Sequence, residues 1–126
     1  MGNNRFLADP PTLSIIGSPV SAGQAKSGTE LGPAALRGTN LVGEIMNTGW
    51  KVVDQGDIEY PTFEEDPPSK WGMQRSRLCA AANKALAEKM YPALKKGHFC
   101  LNLGGDHSTA VGSLAAVLKV ITVTLI

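Results

Sequence analysis

The chain passes from an apolar run into a glycine turn along Phe99-Cys100-Leu101-Asn102-Leu103-Gly104-Gly105-Asp106-His107-Ser108. The apolar run predicts a short buried strand, and the glycine pair predicts a tight turn directly after it. Asp106 and His107 then lie at the carboxyl end of this strand, and a new helix is predicted from Ser108. Strand, turn and helix in this order are typical of an α/β protein.

The segment before this strand predicts a long amphipathic helix over residues 74–96. Its apolar residues recur at the spacing of one helical face, namely Leu78, Ala82, Leu86, Met90 and Leu94. Gly97 is expected to end the helix, and Pro92 is expected to kink it. The strand at 99–103 is therefore preceded by a helix as well as followed by one.

The same alternation continues toward the N terminus. Apolar runs predict strands over 13–17 and 50–54, and helices are predicted from Pro33 and over 41–46. The acidic, proline-rich stretch 57–68 is predicted to be a solvated loop. Strands that alternate with helices predict a doubly wound α/β fold, a parallel sheet with helices on both faces. Ligands are then expected at the carboxyl ends of the strands, in loops 17–32, 55–60 and 104–108.

Composition indicates one globular domain. The chain has 126 residues, of which 43% are apolar and 18% are charged, and its formal net charge is +1. We expect residues 1–12 to be a flexible N-terminal segment before the domain. Because no block of like charge is present, neither a nucleic-acid partner nor a membrane partner is predicted. Two cysteines, expected to be reduced thiols, and the lack of a recognisable targeting signal favour the cytoplasm, with mitochondria as the alternative.

His107 is the residue of the glycine turn with metal-binding chemistry. A neutral imidazole binds transition metals, and an adjacent carboxylate often fixes its tautomer. In this interpretation Asp106, Ser108, Gly104 and Gly105 support His107. In the other, Asp106 and Ser108 only cap the following helix, and His107 is an ordinary loop residue. Spacing alone favours the second interpretation, and both stay open at this point.

Other residues with reactive side chains carry no predicted role. His98 stands at a strand start, where a solvated residue is expected. Lys26-Ser27 resembles the end of a phosphate-binding loop, but that pattern requires glycine where the chain has Ala25. The carboxylates of the acidic loop are expected to be merely solvated. No catalytic residue and no organic cofactor site is predicted.

Several short blocks together resemble the opening third of an arginase, a member of the ureohydrolase family. They are Ile16-Gly17-Ser18-Pro19, Gly23-Gln24, Gly28-Thr29-Glu30-Leu31-Gly32-Pro33, Leu36-Arg37, Gly56-Asp57, Leu103-Gly104-Gly105-Asp106-His107-Ser108 and Gly112-Ser113. The resemblance implies a three-layer α/β/α fold, here incomplete. It also implies hydrolysis of L-arginine to L-ornithine and urea by a hydroxide that two Mn²⁺ ions activate.

The resemblance places the first manganese ligand of the family at His107. The other ligands come from an Asp-x-His-x-Asp segment and an Asp-x-Asp segment, and neither occurs in this chain. We therefore expect residues 13–126 to be the N-terminal part of a single, truncated arginase-like domain that is inactive alone. Association into homo-oligomers is also expected from the family.

Two other functions of the chain stay open beside the truncated arginase. In the first, the chain is a non-catalytic protein that associates with full-length arginase subunits, because residues 120–126 have high β-propensity and predict an unpaired strand. In the second, it is an unrelated small α/β binding domain with coincidental motif matches.

Overall fold

The computed structural model of the chain describes residues 6–125, and of residue 125 only the backbone. The first five residues of the predicted N-terminal segment, and Ile126, lie outside this range. The elements are β1 (Thr12–Ser18), α1 (Gly32–Arg37), α2 (Leu41–Asn47), β2 (Lys51–Asp57), α3 (Ser76–Lys95), β3 (Phe99–Gly104) and α4 (Ala110–Leu125). Two short 3₁₀ turns, Thr29–Leu31 and His107–Thr109, precede α1 and α4.

The three described strands form one parallel sheet in the order β2-β1-β3. The parallel direction follows from the connections, because a helix crosses over between each strand and the next. All three strands coincide with predicted ones to within a few residues. The predicted parallel α/β fold is therefore confirmed.

Side chains of β1 alternate between the two faces of the sheet, as the pleat of a strand requires. Leu13 and Ile15 join a cluster with Leu103 under α2. Ile16 joins the other cluster, under α3 and α4, where Leu86 is fully buried. Helices thus cover both faces, and β1 is the central strand.

The long helix α3 is continuous from Ser76 to Lys95 and includes Pro92. Its buried residues are Ala82, Leu86, Met90 and Ala93. Three of these were predicted from the periodicity, so the predicted inner face is the observed one.

The prediction of a strand at 120–126 is wrong for every described residue of that stretch, because α4 continues to Leu125. The first half of α4 packs on α3 through Ala116, and the exposed tail continues this helix at only a modest helix-propensity cost for its β-branched residues. Thr122 and Thr124 also satisfy their hydroxyls inside the helix, donating to the carbonyls of Leu118 and Val120 at 2.8 Å each.

The same helix is apolar. By length and composition alone, 107–124 is the one stretch among residues 6–125 that could cross a membrane. Its apolar residues divide between a face against α3 and a face that no described residue covers.

Candidate functional site

Three loops meet at the carboxyl edge of the sheet, as predicted. The amide of Asp106 donates to the carbonyl of Val20 at 2.8 Å, which joins loop 104–108 to loop 17–32. The amide of Ile58 donates to the carbonyl of Gly17 at 2.8 Å, and the Tyr60 hydroxyl donates to the carbonyl of Pro19 at 3.0 Å. Loop 55–60 is therefore tied to the same edge.

Asp106 holds the turn together. Its side chain is 5% exposed, and its Oδ2 accepts a hydrogen bond from the amide of Gly23 at 2.7 Å. Its Oδ1 accepts from the amide of Ser108 at 2.9 Å and from the Ser108 hydroxyl at 2.6 Å. Asp106 is thus the N-cap of the turn that leads into α4, and it also anchors the first loop. The capping interaction that the sequence allowed for Asp106 and Ser108 is present.

Two glycines allow this close approach. A Cβ on Gly23 would lie 2.5 Å from the Cβ of Ser108, so a larger residue would push the first loop away from the turn. Gly105 has a positive φ of 23°, and a Cβ there would collide with the carbonyl oxygens of Ser18 and Val20. Both glycines belong to the motif blocks, but which side chain each one faces is visible only in the structure.

His107 follows Asp106 and is exposed. No side-chain hydrogen bond of His107 is formed with any residue from 6 to 125, so both ring nitrogens are free. The residue lines an open cleft of about 300 Å³ that it shares with Asn102, Thr109 and Ser113. Capping by Asp106 leaves His107 available, so the two interpretations of this turn do not exclude each other.

The carboxylate of Asp106 is not bonded to His107. Its recorded partners are Gly23 and Ser108. Any support that Asp106 lends to His107 therefore acts through the backbone of the turn rather than through a direct bond to the imidazole.

Arg37, Asp54 and Asp57 form a second polar group at this edge, which the sequence did not indicate as a site. The Arg37 guanidinium contacts Asp54 through Nε at 2.8 Å and Asp57 through one terminal nitrogen at 2.6 Å. Hydrogen bonds to Asp54 raise the pKa of Arg37, and the guanidinium holds the pKa of Asp54 below its ordinary value. This group fastens α1 to β2. Arg37 and Asp57 both lay in motif blocks, which was the available signal.

Cys79 and Tyr60 lie near the same turn. Burial raises the pKa of the Cys79 thiol, and a hydrogen bond with Ser108 opposes this shift. Burial also raises the pKa of Tyr60, and the negative charge of Asp106 adds to the effect. Both groups are therefore kept neutral near pH 7, and both cysteines are free thiols.

His98 lies away from this edge, before the first residue of β3. It is half-buried rather than solvated, and its Nδ1 lies 2.9 Å from the Oγ of Ser14. The expected environment of His98 was therefore wrong, because its ring lies against Ser14 of β1.

The described residues do not fit a manganese pair by themselves. From residue 6 to 125 there is no group of three or more His, Cys, Asp or Glu side chains that could hold a metal ion. His107 is a free donor, whereas the carboxylate of Asp106 is committed to the turn. Since a transition-metal site needs several ligands, we derive no catalytic step from these residues.

The fold and this edge define an α/β protein with a candidate ligand, His107, at the carboxyl end of a parallel strand. The family model described as "Arginase family" matches residues 11–126. The chain belongs to the arginase family. The match includes residues 120–126, for which the sequence predicted an unpaired strand.

Individual relatives agree with the family match. The chain is 39% identical over 103 residues to "Arginase, non-hepatic 1" of Xenopus laevis, covering 82% of this chain and 29% of that protein. It is 37% identical over 108 residues to the arginase of Bacillus subtilis, covering 86% and 36%. The chain therefore spans about a third of the length of the curated relatives that it matches. The relatives include a mitochondrial arginase-2 of rat as well as bacterial arginase, so the family occurs in more than one location.

Solved structures share the fold. A crystal structure of Bacillus subtilis arginase matches with a TM-score of 0.75 and 36% identity, over 86% of this chain and 35% of that chain. Two neighbours at 23% identity support the fold alone. They are a formiminoglutamase of Trypanosoma cruzi solved with Mn²⁺, at TM-score 0.62, and an arginase of Entamoeba histolytica solved with L-ornithine, at TM-score 0.63.

Proposed function

We propose that this chain forms one part of an arginase-type active site, in which His107 is a manganese ligand. The reaction is the hydrolysis of L-arginine to L-ornithine and urea. The observation that carries the proposal is the free, exposed imidazole of His107 at the carboxyl end of β3, inside the motif that resembles the first metal-binding segment of arginases.

The residues next to His107 are proposed to fix its position. Asp106 and Ser108 cap the turn, and the contact with Gly23 holds the first loop against it. This arrangement fixes the backbone on which His107 stands, so the imidazole is presented with little freedom in its main chain. Mn²⁺ would supply the Lewis acidity that a poor electrophile such as a guanidinium needs.

The chain by itself is proposed to be inactive. One imidazole does not hold a pair of divalent cations against water, because such sites need several oxygen and nitrogen ligands. The remaining ligands are proposed to come from polypeptide corresponding to the part of arginases that this chain does not match. L-arginine is the proposed substrate. The proposed assembly is a homo-oligomer, and the proposed location is the cytoplasm.

A chimaera tests the role of His107. The matched part of Bacillus subtilis arginase is replaced by residues 11–125 of this chain, and urea release from L-arginine is measured with added Mn²⁺. The chimaera is expected to release urea, and His107→Ala is expected to lower kcat/KM at least a hundredfold and to weaken Mn²⁺ binding measured by electron paramagnetic resonance.

The matched control is His98→Gln, which alters the other histidine of the chain. This variant is expected to keep Mn²⁺ binding, since His98 lies away from the carboxyl edge. Unchanged Mn²⁺ binding in the His107→Ala chimaera would contradict the proposed ligand role. Urea release by the isolated chain would contradict the proposed inactivity.

A further inference from the structure

A second cleft, of about 430 Å³, lies between α3 and the strands β1 and β2, and it shares no residue with the cleft beside His107. Two small buried residues leave room for it, Ser14 on β1 and Ala93 on α3. Val53 of β2 lies beside Ser14 in register and is 44% exposed, because α3 packs mainly on β1 and β3. Sites for small molecules have volumes of about 300–1,000 Å³, so the cleft is large enough for one.

Ser14 and His98 form a hydrogen-bonded pair in the wall of this cleft. Oγ of Ser14 lies 2.9 Å from Nδ1 of His98, and Ser14 is fully buried. The hydroxyl bonds to no other side chain or carbonyl from residue 6 to 125, and a buried hydroxyl hydrogen without an acceptor is costly, so Ser14 is the donor and Nδ1 the acceptor. The hydrogen of the neutral imidazole is then on Nε2. This nitrogen has no partner among the described residues, so it is a donor open to a ligand.

Charged side chains of α3 add an excess of positive charge to the cleft. Lys89 and Lys96 line it together with one carboxylate, Glu88. Nζ of Lys89 donates to a backbone carbonyl at 2.9 Å, which leaves its charge without a counterion. Lys96 is exposed and forms no ion pair within residues 6–125, whereas Glu88 has a counterion in Lys84 at 3.9 Å. These charges favour an anionic ligand.

The remaining wall of the cleft is mostly apolar. Val53, Pro92 and Ala93 line it, beside the amide side chain of Gln55. An inorganic anion would leave this apolar surface in water, whereas an anion with an apolar body would cover it, which is favourable. A single imidazole donor and a small excess of positive charge suit one carboxylate better than a doubly charged phosphate ester.

We propose that this cleft, which is lined by Ser14, Val53, Ala93, Lys96 and His98, binds a small organic carboxylate with an apolar body. The carboxylate accepts a hydrogen bond from Nε2 of His98 and lies near the ammonium group of Lys96. The apolar body lies against Val53 and Ala93. The site uses neither manganese nor L-arginine hydrolysis, so it is independent of the function proposed for His107.

Benzoate is the probe for this site, and its binding to the purified chain is measured by isothermal titration calorimetry without Mn²⁺. Saturable binding is expected. His98→Asn and Lys96→Gln are each expected to lower the affinity by about fivefold or more, since each removes one interaction with a charged group. Asparagine is chosen because it can still accept from Ser14 near the place of Nδ1 but has no equivalent of Nε2. Circular dichroism checks that both variants are folded.

The matched control is Lys95→Gln, which removes the neighbouring positive charge of α3. Lys95 lies over the ring of Tyr91 and does not line the cleft, so this variant is expected to bind benzoate as the unmodified chain does. A loss of affinity equal to that of Lys96→Gln would show that only the overall charge matters and would overturn the site.

Two comparison ligands test the chemical class. Benzylamine has the same apolar body with a positive charge, and inorganic phosphate has negative charge without an apolar body. Both are expected to bind more weakly than benzoate. Equal affinity for benzylamine would contradict the preference for an anion, and equal affinity for phosphate would contradict the role of the apolar wall. Absence of saturable benzoate binding, or binding that His98→Asn and Lys96→Gln leave unchanged, would overturn the proposal.

Discussion

Asp106 shows how much one side chain contributes at the carboxyl edge. Its buried carboxylate accepts hydrogen bonds from Gly23 and Ser108, which lie on different loops. The donors are two backbone amides and the Ser108 hydroxyl, so no pairing of side-chain charges is involved. The residue before the candidate ligand therefore has a structural task of its own.

Asp106→Asn is expected to lower the free energy of unfolding by about 1–3 kcal/mol, because an amide replaces a carboxylate that accepts from buried amides. Urea denaturation followed by circular dichroism measures the change. Asp9→Asn, at an exposed position, is the control and should change stability by less than about 0.5 kcal/mol. Equal effects of the two substitutions would argue against the anchoring role of Asp106.

Cys100 shows how burial changes the pKa of a side chain. Removal from water raises the pKa of its thiol to about 11. The thiolate is the reactive form, so the native thiol is expected to react slowly with a disulfide reagent at pH 7 and faster as the pH rises toward 11. Cys100→Ala identifies its share of the reaction. Rapid native reaction of Cys100 at pH 7 would contradict the burial of this side chain.

At the scale of elements, the ion pairs of Arg37 tie α1 to β2. The pKa of Asp54 is lowered in the folded state, so this group stabilises the fold above its ordinary titration range and loses that contribution as the pH falls. Both partners are partly exposed, at 23% and 31% for Arg37 and Asp54, and solvent screening keeps the contribution small.

Asp54→Asn is expected to cost about 1 kcal/mol of stability at pH 7. The difference from the unmodified chain should shrink as the pH falls below the ordinary carboxyl range, near 3.9, because the native carboxylate then becomes protonated too. Denaturation midpoints at several pH values measure this. A difference that grows toward acid pH would have the wrong sign for the proposed cause.

The contact between α3 and α4 depends on the small size of Gly112. Gly112→Val is expected to destabilise the chain by about 1–3 kcal/mol, because the side chain has no room beside Asn83. Ala115→Val, on the exposed side of the same helix, is the control that gives the cost of a valine in this helix where there is room for it. Thermal unfolding compares the two variants. Similar losses in both would show that propensity rather than the helix contact is responsible.

At the scale of the whole molecule, the outer face of α4, which carries Leu114 and Leu118, is covered by no residue from 6 to 125. Leu114→Lys and Leu118→Lys remove apolar side chains that are already more than half exposed. These substitutions are therefore expected to leave the unfolding free energy of the isolated chain within about 0.5 kcal/mol and to raise its solubility. A large loss of stability would mean that this face of α4 is covered within the chain itself.

Local patterns in the sequence determined the fold class, the strand positions and the place of His107. Short apolar runs bounded by glycine define strands, and a regular apolar spacing defines α3, because both signals depend on residues that are close along the chain. The order of alternating strands and helices then requires a parallel sheet.

Only the tertiary structure decided which groups meet. The partners Gly23 and Asp106 are 83 residues apart, and those in the Arg37–Asp57 pair are 20 apart, so no local pattern contains these contacts. The tail shows the same limit, since its β-branched residues favour a strand locally, whereas α4, which packs on α3 through Ala116, continues through the tail as a helix. Burial of a surface stabilises more than propensity opposes, and which surface is buried is a property of the whole fold.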